Sequence, residues 1–247
     1  MQLEQTIRTG QDPEFYIYDQ VMLGRKKTLG KELFSSTVNN AKQITEQDEE
    51  RVLKVIRYAL EYYMGWEPEQ TKANLDPKVL KRLRLEGVVN QRIRFPVELE
   101  PMQNMDYLVH RLYPDRYHYS QEDAVIAYYE KVLNGEVERF KKDFFKDGDG
   151  RNRAIICFKR MLQTGRQFRS YKEMFDFFAT TAGRQMISHA KLGSPCRDLF
   201  QYPIVYLYAA LPPEVQEEYE DYYNYLKFGQ INAKQKLELK KQGKFIA

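Results

Sequence analysis

The stretch YDQVMLGRKKTLGKELF, residues 18–34, recurs without a gap as YEKVLNGEVERFKKDFF, residues 129–145, at an offset of 111. The offset then falls to 102, where Trp66 overlays Phe168, and to 99 near the end of the second copy. A falling offset between ordered anchors is typical of two diverged copies with shortened loops. The identical pairs in the quoted stretches are Tyr18 and Tyr129, Val21 and Val132, Gly24 and Gly135, Lys31 and Lys142, and Phe34 and Phe145.

Helical periodicity dominates the chain. Val52, Val55 and Ile56 recur at spacings of three and four, which places them on one face of an amphipathic helix. The second copy repeats this pattern from Arg153 to about Leu162. No alternating run is long enough to predict a strand. We therefore expect an all-α fold in three parts: helical repeat 1 in residues 1–116, helical repeat 2 in residues 117–213, and a Tyr-rich C-terminal helix with a basic tail in residues 214–247.

Each repeat contains two short helices joined by a tight turn, an arrangement that resembles a helix-turn-helix. The second helix of the pair is predicted over Pro77–Glu86 in the first repeat and over Thr181–His189 in the second. The expected N-cap residues at helix starts along the chain are Asp12, Asp76, Ser120 and Ser170.

The net charge of +4 is unevenly distributed. Residues 72–94 have a net charge of +5, residues 146–169 have another +5, and the remainder of the chain is at −6. Focused positive charge is the expected footprint of a polyanion partner, although a solvated helix face with local counter-charges produces the same pattern.

Several function classes receive no support from the sequence. The three histidines are scattered without a metal-binding spacing, and His110 is expected to be a surface or capping residue. The motif KDGDGR at residues 146–151 lacks the Gly and Glu positions of a calcium loop, where the chain has Asn152 and Phe158. No phosphate loop, nucleophile elbow or dinucleotide fingerprint is present. We expect no catalytic residue, metal or cofactor, and the protein is not expected to be an enzyme.

Cysteine usage and hydropathy predict a cytoplasmic protein that does not enter a membrane. Cys157 and Cys196 form no C-x-x-C pair, and Cys157 is expected to be a small buried side chain. No apolar run approaches the roughly 18 residues of a membrane span. The first ten residues are polar, unlike a secretory signal.

Several short motifs resemble a repeat found in domain-of-unknown-function proteins of Gram-positive bacteria and their phages. They are YYEKVLNGEVERF, NRAIICFKRML, GWEPEQ, Leu85-Glu86-Gly87 and Tyr113-Pro114. The resemblance covers roughly Tyr16–Pro213, with a long insertion at Ser35–Asp48 and with Phe168 in place of the second Trp. It implies a bacterial or phage origin and tandem helical repeats, and it transfers no catalytic residue.

The first functional hypothesis is a DNA-binding regulator. The second helix of each pair would face a major groove, with basic residues on phosphates and polar residues at base edges. The candidate residues are Lys78, Lys81, Arg82, Arg84, Arg92, Arg94, Arg151, Arg153, Arg184, Gln185, Ser188 and His189.

The second hypothesis is a non-catalytic protein-binding adaptor or inhibitor. Tyr219, Tyr222 and Tyr223 form an aromatic stripe flanked by acidic residues, a composition typical of interfaces. The stripe could instead pack on the second repeat or form a dimer contact. The partner and the oligomeric state stay open.

Overall fold

The chain forms two compact units, residues 1–119 (unit 1) and residues 120–247 (unit 2). A computed structural model describes residues 12–34 and 45–230. Within these described residues every regular element is helical and no strand is present. The all-α class expected from the sequence is therefore confirmed.

Unit 1 is built around one central helix, α3. Its helices in chain order are α1 (Pro13–Met22), α2 (Leu29–Leu33), α3 (Glu46–Tyr58), which continues as a π-helical turn (Ala59–Tyr63), α4 (Pro68–Asn74), α5 (Pro77–Arg82), α6 (Glu86–Arg92) and α7 (Asn104–Leu112), which follows a 3₁₀ turn (Pro101–Gln103). Helix α3 contacts α1, α6 and α7. Val52, Val55 and Ile56 are fully buried between them, so the predicted amphipathic helix is confirmed.

Unit 2 is also built around one central helix, α9. Its helices are α8 (Gln121–Leu133), α9 (Gly150–Thr164), α10 (Tyr171–Phe178), α11 (Thr181–His189), α12 (Gly193–Pro195), which continues as a π-helical turn (Cys196–Phe200), α13 (Pro203–Ala210), α14 (Pro213–Glu218) and α15 (Glu220–Gln230). Helix α9 packs against α8 and α13. Ala154, Cys157 and Phe158 are fully buried, and burial raises the pKa of the Cys157 thiol.

Side-chain caps begin the helices where the sequence predicts them. Each cap oxygen accepts a hydrogen bond from a backbone N–H two or three residues later, which satisfies a donor that the helix itself leaves unpaired. The pairs are Asp12 with Glu14 at 3.1 Å, Asp76 with Val79 at 2.7 Å, Ser120 with Asp123 at 3.1 Å, and Ser170 with Glu173 at 3.2 Å.

Both units share one local arrangement at the end of the second helix of the pair. A buried tyrosine from the repeated stretch donates its hydroxyl hydrogen to a backbone carbonyl there, and the following residue has left-handed backbone. The groups are Tyr18 and Leu83 O at 3.0 Å before Arg84 (φ 55°), and Tyr129 and Ala190 O at 3.0 Å before Lys191 (φ 61°). The duplication of the sequence stays a prediction.

Two segments differ from the predicted helix bounds. The second helix of the unit 1 pair ends at Arg82 rather than Glu86, because Arg84 has left-handed backbone and Glu86 begins α6. The region predicted as one C-terminal helix from residue 214 forms α14 and α15, and α15 contacts α10 and α13 of unit 2. The lysines at Lys234–Lys244 and most of the Ser35–Asp48 insertion lie outside the described residues.

Candidate nucleic-acid interface

Helix α5 exposes the cations that the sequence places on one face. Lys78, Lys81 and Arg82 are all exposed, and their spacings of three and four put them side by side. Arg82 Nη2 lies 3.4 Å from the sulfur of Met64. Among the residues that the structure describes, neither Lys78 nor Lys81 pairs with a carboxylate. The charge of this face is therefore available to an external anion.

The three arginines that follow α5 do not form one surface. Arg92 is only 3% exposed, lies 4.2 Å from the ring centroid of Phe34 and forms an ion pair with Asp48 at 3.5 Å. The prediction that it contacts nucleic acid is wrong, because the side chain fills the core of unit 1. Arg84 is exposed but donates from Nη1 to Val21 O at 2.9 Å, which holds the end of α1. Arg94 is exposed and stays a candidate.

Helix α11 has the predicted bounds and presents a polar face to solvent. Its exposed residues of types that can contact base edges are Arg184, Gln185, Ser188 and His189. The turn before it is tight: a Cβ at Gly183 would lie 2.6 Å from Phe177 O and from Phe178 Cα. Only glycine allows this close approach of α11 to α10. The position and direction of the polar face therefore depend on Gly183.

The two predicted arginines at the start of α9 have different roles. Arg153 is 2% exposed; its Nε donates to Phe144 O at 2.7 Å and its guanidinium pairs with Asp147. The prediction that Arg153 contacts nucleic acid is wrong, since it anchors the loop before α9. Arg151 is exposed, and its Nη1 donates to Leu199 O at 3.0 Å. Because that acceptor is neutral, the charge of Arg151 is retained at the surface.

Around Arg151 lies a cavity of about 720 Å³, here called the basic groove. It is bounded by the end of α8, the loop over residues 134–149, the start of α9 and the segment over residues 191–199. Its cations are Arg139, Lys141, Lys142, Lys146, Arg151 and Lys191. Its other lining residues are the carboxylates Glu138, Asp147 and Asp198, the hydroxyl of Ser194, and the apolar side chains of Val132, Phe140, Phe145, Pro195 and Leu199.

The electrostatic balance of the basic groove is positive. Six cations face three carboxylates, and two of those carboxylates already have partners. Asp147 pairs with the buried Arg153, and Asp198 accepts from Arg197 at 2.8 Å and from Ser194 at 3.0 Å. The hydrogen bond from Arg197 is the main reason that the pKa of Asp198 is lowered. The groove therefore has a surplus of positive charge beside apolar side chains.

Most of the basic groove was not predicted from the sequence. Arg151 and the charge of residues 146–169 were recognised, but Arg139, Lys142 and Lys191 were not. Lys142 lies in the repeated stretch, where it aligns with Lys31, and this alignment is the only sequence feature that distinguishes it. The groove depends on the loop over residues 134–149 folding against a segment some 50 residues later, and no local pattern reports such a contact.

The tyrosine stripe of the C-terminal region packs inside unit 2. Tyr223 is buried and stacks on Tyr208 with ring centroids 3.9 Å apart. Tyr219 stacks on Phe175 of α10 at 5.6 Å, and Tyr222 donates its hydroxyl hydrogen to Asp176. Because Tyr223 is buried, the prediction that it contacts a partner is wrong. Tyr219 and Tyr222 are half-buried, and their contact with a partner stays a prediction. The exposed ring is that of Tyr225, at 73%.

His110 is half-buried, and its Nδ1 lies 2.5 Å from Tyr117 O. Residues 12–34 and 45–230 contain no group of three or more His, Cys, Asp or Glu side chains that could hold a metal ion. In the same residues, no helix has both the length and the apolar character that a membrane crossing requires.

Comparisons of the chain with protein-family models, with curated proteins and with solved structures found no match. The family resemblance and the bacterial or phage origin that it implies stay predictions.

Proposed function

We propose that this protein binds DNA, with α11 of unit 2 contacting base edges and with the cations of α5 and the basic groove contacting phosphates. The observation that favours this most is the exposed polar face of α11 beside the basic groove. Lys191, which lines the groove, follows α11, and its backbone N–H donates to Ser188 O at 3.0 Å. Base-reading residue types and phosphate-binding charge therefore share one edge of unit 2.

The lengths of the two helices favour different roles for them. Helix α11 has nine residues, which at about 1.5 Å per residue is long enough to present two turns to a major groove about 12 Å wide. Helix α5 has six residues, and its exposed residues are Pro77 and the three cations Lys78, Lys81 and Arg82. We therefore assign base contacts to α11 and phosphate contacts to α5. The family resemblance favours a regulatory role for this binding, in a bacterium or phage.

Salt dependence of duplex binding tests the proposal. Each phosphate contact contributes about 0.9 to the slope of log K against log salt. Lys81→Ala/Arg82→Ala should therefore reduce that slope by about 2. Arg184→Ala should instead relax discrimination between duplex sequences, because Arg184 is assigned to a base edge. The measurement is a fluorescence-polarisation titration of the full chain with a labelled duplex.

Lys159→Ala is the matched control, because Lys159 is an exposed cation of unit 2 that lies on α9 and does not line the basic groove. It should keep the parent slope and affinity. Retention of the parent slope by Lys81→Ala/Arg82→Ala would remove α5 from the interface. Equal losses of duplex affinity in Arg184→Ala and Lys159→Ala would show that only net charge matters, and would contradict the assignment of base contacts to α11.

A further inference from the structure

The basic groove combines charge with an aromatic floor. The aromatic floor consists of Phe140 and Phe145, which line the groove and are half-buried, with ring centroids 4.7 Å apart and ring planes inclined by 63°. Leu199, also half-buried, comes from the segment after α12. These half-buried side chains leave an apolar surface next to the cations, which a purely ionic ligand would not use.

Four cations that line the groove have no carboxylate partner among the described residues, namely Arg139, Lys142, Arg151 and Lys191. The guanidinium of Arg151 lies 4.4 Å from the ring centroid of Phe200, so its direction is set without loss of charge. Lys191 has left-handed backbone at the end of α11 and is exposed. Among the described residues, Arg139 and Lys142 form no ion pair. These four side chains can therefore neutralise an anion that enters the groove.

We infer that the basic groove binds a short single-stranded nucleic-acid segment, with phosphates on the cations and an unstacked base on Phe140 and Phe145. Ligand sites commonly have volumes of roughly 300–1,000 Å³, and the 720 Å³ of the groove admits about one or two nucleotides. Inorganic polyphosphate would leave the aromatic floor in water. A paired base in a duplex is stacked on its neighbours and cannot reach that floor.

This inference rests on the proposed function for the identity of the polyanion. A duplex on α11 would bring an adjoining unpaired strand to the groove, because the backbone N–H of Lys191, which lines the groove, donates to Ser188 O at the end of α11 at 3.0 Å. The groove would then bind the unpaired strand, and α11 would bind the adjoining duplex. Phe140 and Phe145 belong to the groove and Arg184 and Gln185 to α11, so substitutions at these positions separate the two sites.

Binding of the full chain to dye-labelled oligothymidylate of about ten nucleotides tests the inference. Arg139→Ala/Lys142→Ala should weaken this binding about tenfold and reduce its salt slope by about 1.4, since single strands contribute about 0.7 per phosphate. Phe145→Leu, which removes the ring and keeps an apolar side chain, should also weaken it about tenfold. Phe145→Leu should keep the duplex affinity, because it removes no charge, whereas Arg139→Ala/Lys142→Ala should also lower the duplex affinity, since the proposed function places the groove cations on duplex phosphates. The matched control Lys159→Ala/Arg169→Ala removes two exposed cations of unit 2 outside the groove lining and should keep the affinity for oligothymidylate.

Competition experiments distinguish binding of a nucleic-acid strand from binding of a mononucleotide or of inorganic phosphate. Unlabelled oligothymidylate should displace the probe at much lower concentration than thymidine monophosphate or inorganic tripolyphosphate. Displacement by tripolyphosphate as effective as by oligothymidylate would overturn the inference, because the aromatic floor would then be unused. Displacement of the probe by thymidine monophosphate as effective as by oligothymidylate would overturn the inference as well. So would an oligothymidylate affinity that is unchanged in Arg139→Ala/Lys142→Ala. Duplex binding retained in those cases would leave the proposed function intact, whereas a chain that binds neither probe would contradict both.

Discussion

Replacing Gly150 with alanine is expected to lower the free energy of unfolding by about 2 to 3 kcal/mol and to abolish oligothymidylate binding. A Cβ at this position would lie under 3.0 Å from the backbone carbonyl group and Cα of Phe145. Backbone atoms cannot rotate away as a flexible side chain can. The start of α9 or the loop over residues 134–149 must therefore shift, and Phe145 and Asp147 of that loop line the basic groove.

Gly148→Ala is the matched control for Gly150→Ala. Gly148 lies two residues before it, in the loop that precedes α9, has no heavy atom within 4 Å of its Cβ position, and does not have left-handed backbone. Urea unfolding followed by circular dichroism should give a stability within about 0.5 kcal/mol of the parent for Gly148→Ala. Hydrogen exchange should show faster exchange in peptides from residues 134–149 for Gly150→Ala alone. Equal stability of the two variants would contradict the close approach at Gly150.

Replacing Arg153 with methionine is expected to lower the free energy of unfolding by about 2 to 3 kcal/mol. The buried guanidinium is the donor to Phe144 O and the ion-pair partner of Asp147. Methionine fills a similar volume but leaves the carbonyl without this donor. Asp147 is half exposed, so it can be hydrated, and the cost stays below that of a fully buried unpaired charge.

Arg160→Met serves as the comparison for Arg153→Met on the same helix. Arg160 pairs with Glu130, but both side chains are about one-third or more exposed, so the loss is expected to stay below about 1 kcal/mol. Arg153→Met should also weaken oligothymidylate binding, because it loosens the loop that bears Arg139 and Lys142. Similar small losses of unfolding free energy in both variants would show that Arg153 does not anchor this loop.

Local signals in the sequence predicted the helices well. Thr181–His189 has the predicted bounds because Thr180 provides a cap, with its Oγ1 3.5 Å from Gly183 N. Asp76 and Ser170 likewise begin their helices through side-chain hydrogen bonds. The early end of α5 was missed, because it depends on left-handed backbone at Arg84, a residue type that ordinarily favours helix.

The burial of charged residues could not be predicted from local patterns. Arg92 and Arg153 lie in basic windows that resemble solvated faces, yet each lies over a phenylalanine ring, Phe34 and Phe144 respectively. In both cases the aromatic partner precedes the helix and reaches the arginine only through tertiary packing. The basic groove depends on contacts of the same kind between distant segments, so its residues were recognised only in part.

The most direct test of nucleic-acid binding is a fluorescence-polarisation titration of the full chain with a labelled duplex and a labelled single strand at about 50 and 200 mM salt. We expect both probes to bind at the lower salt concentration, with at least a tenfold loss of affinity at the higher one, since three phosphate contacts alone would give roughly that change or more. The absence of binding to either probe at about 50 mM salt, or binding that does not change with salt, would contradict the account.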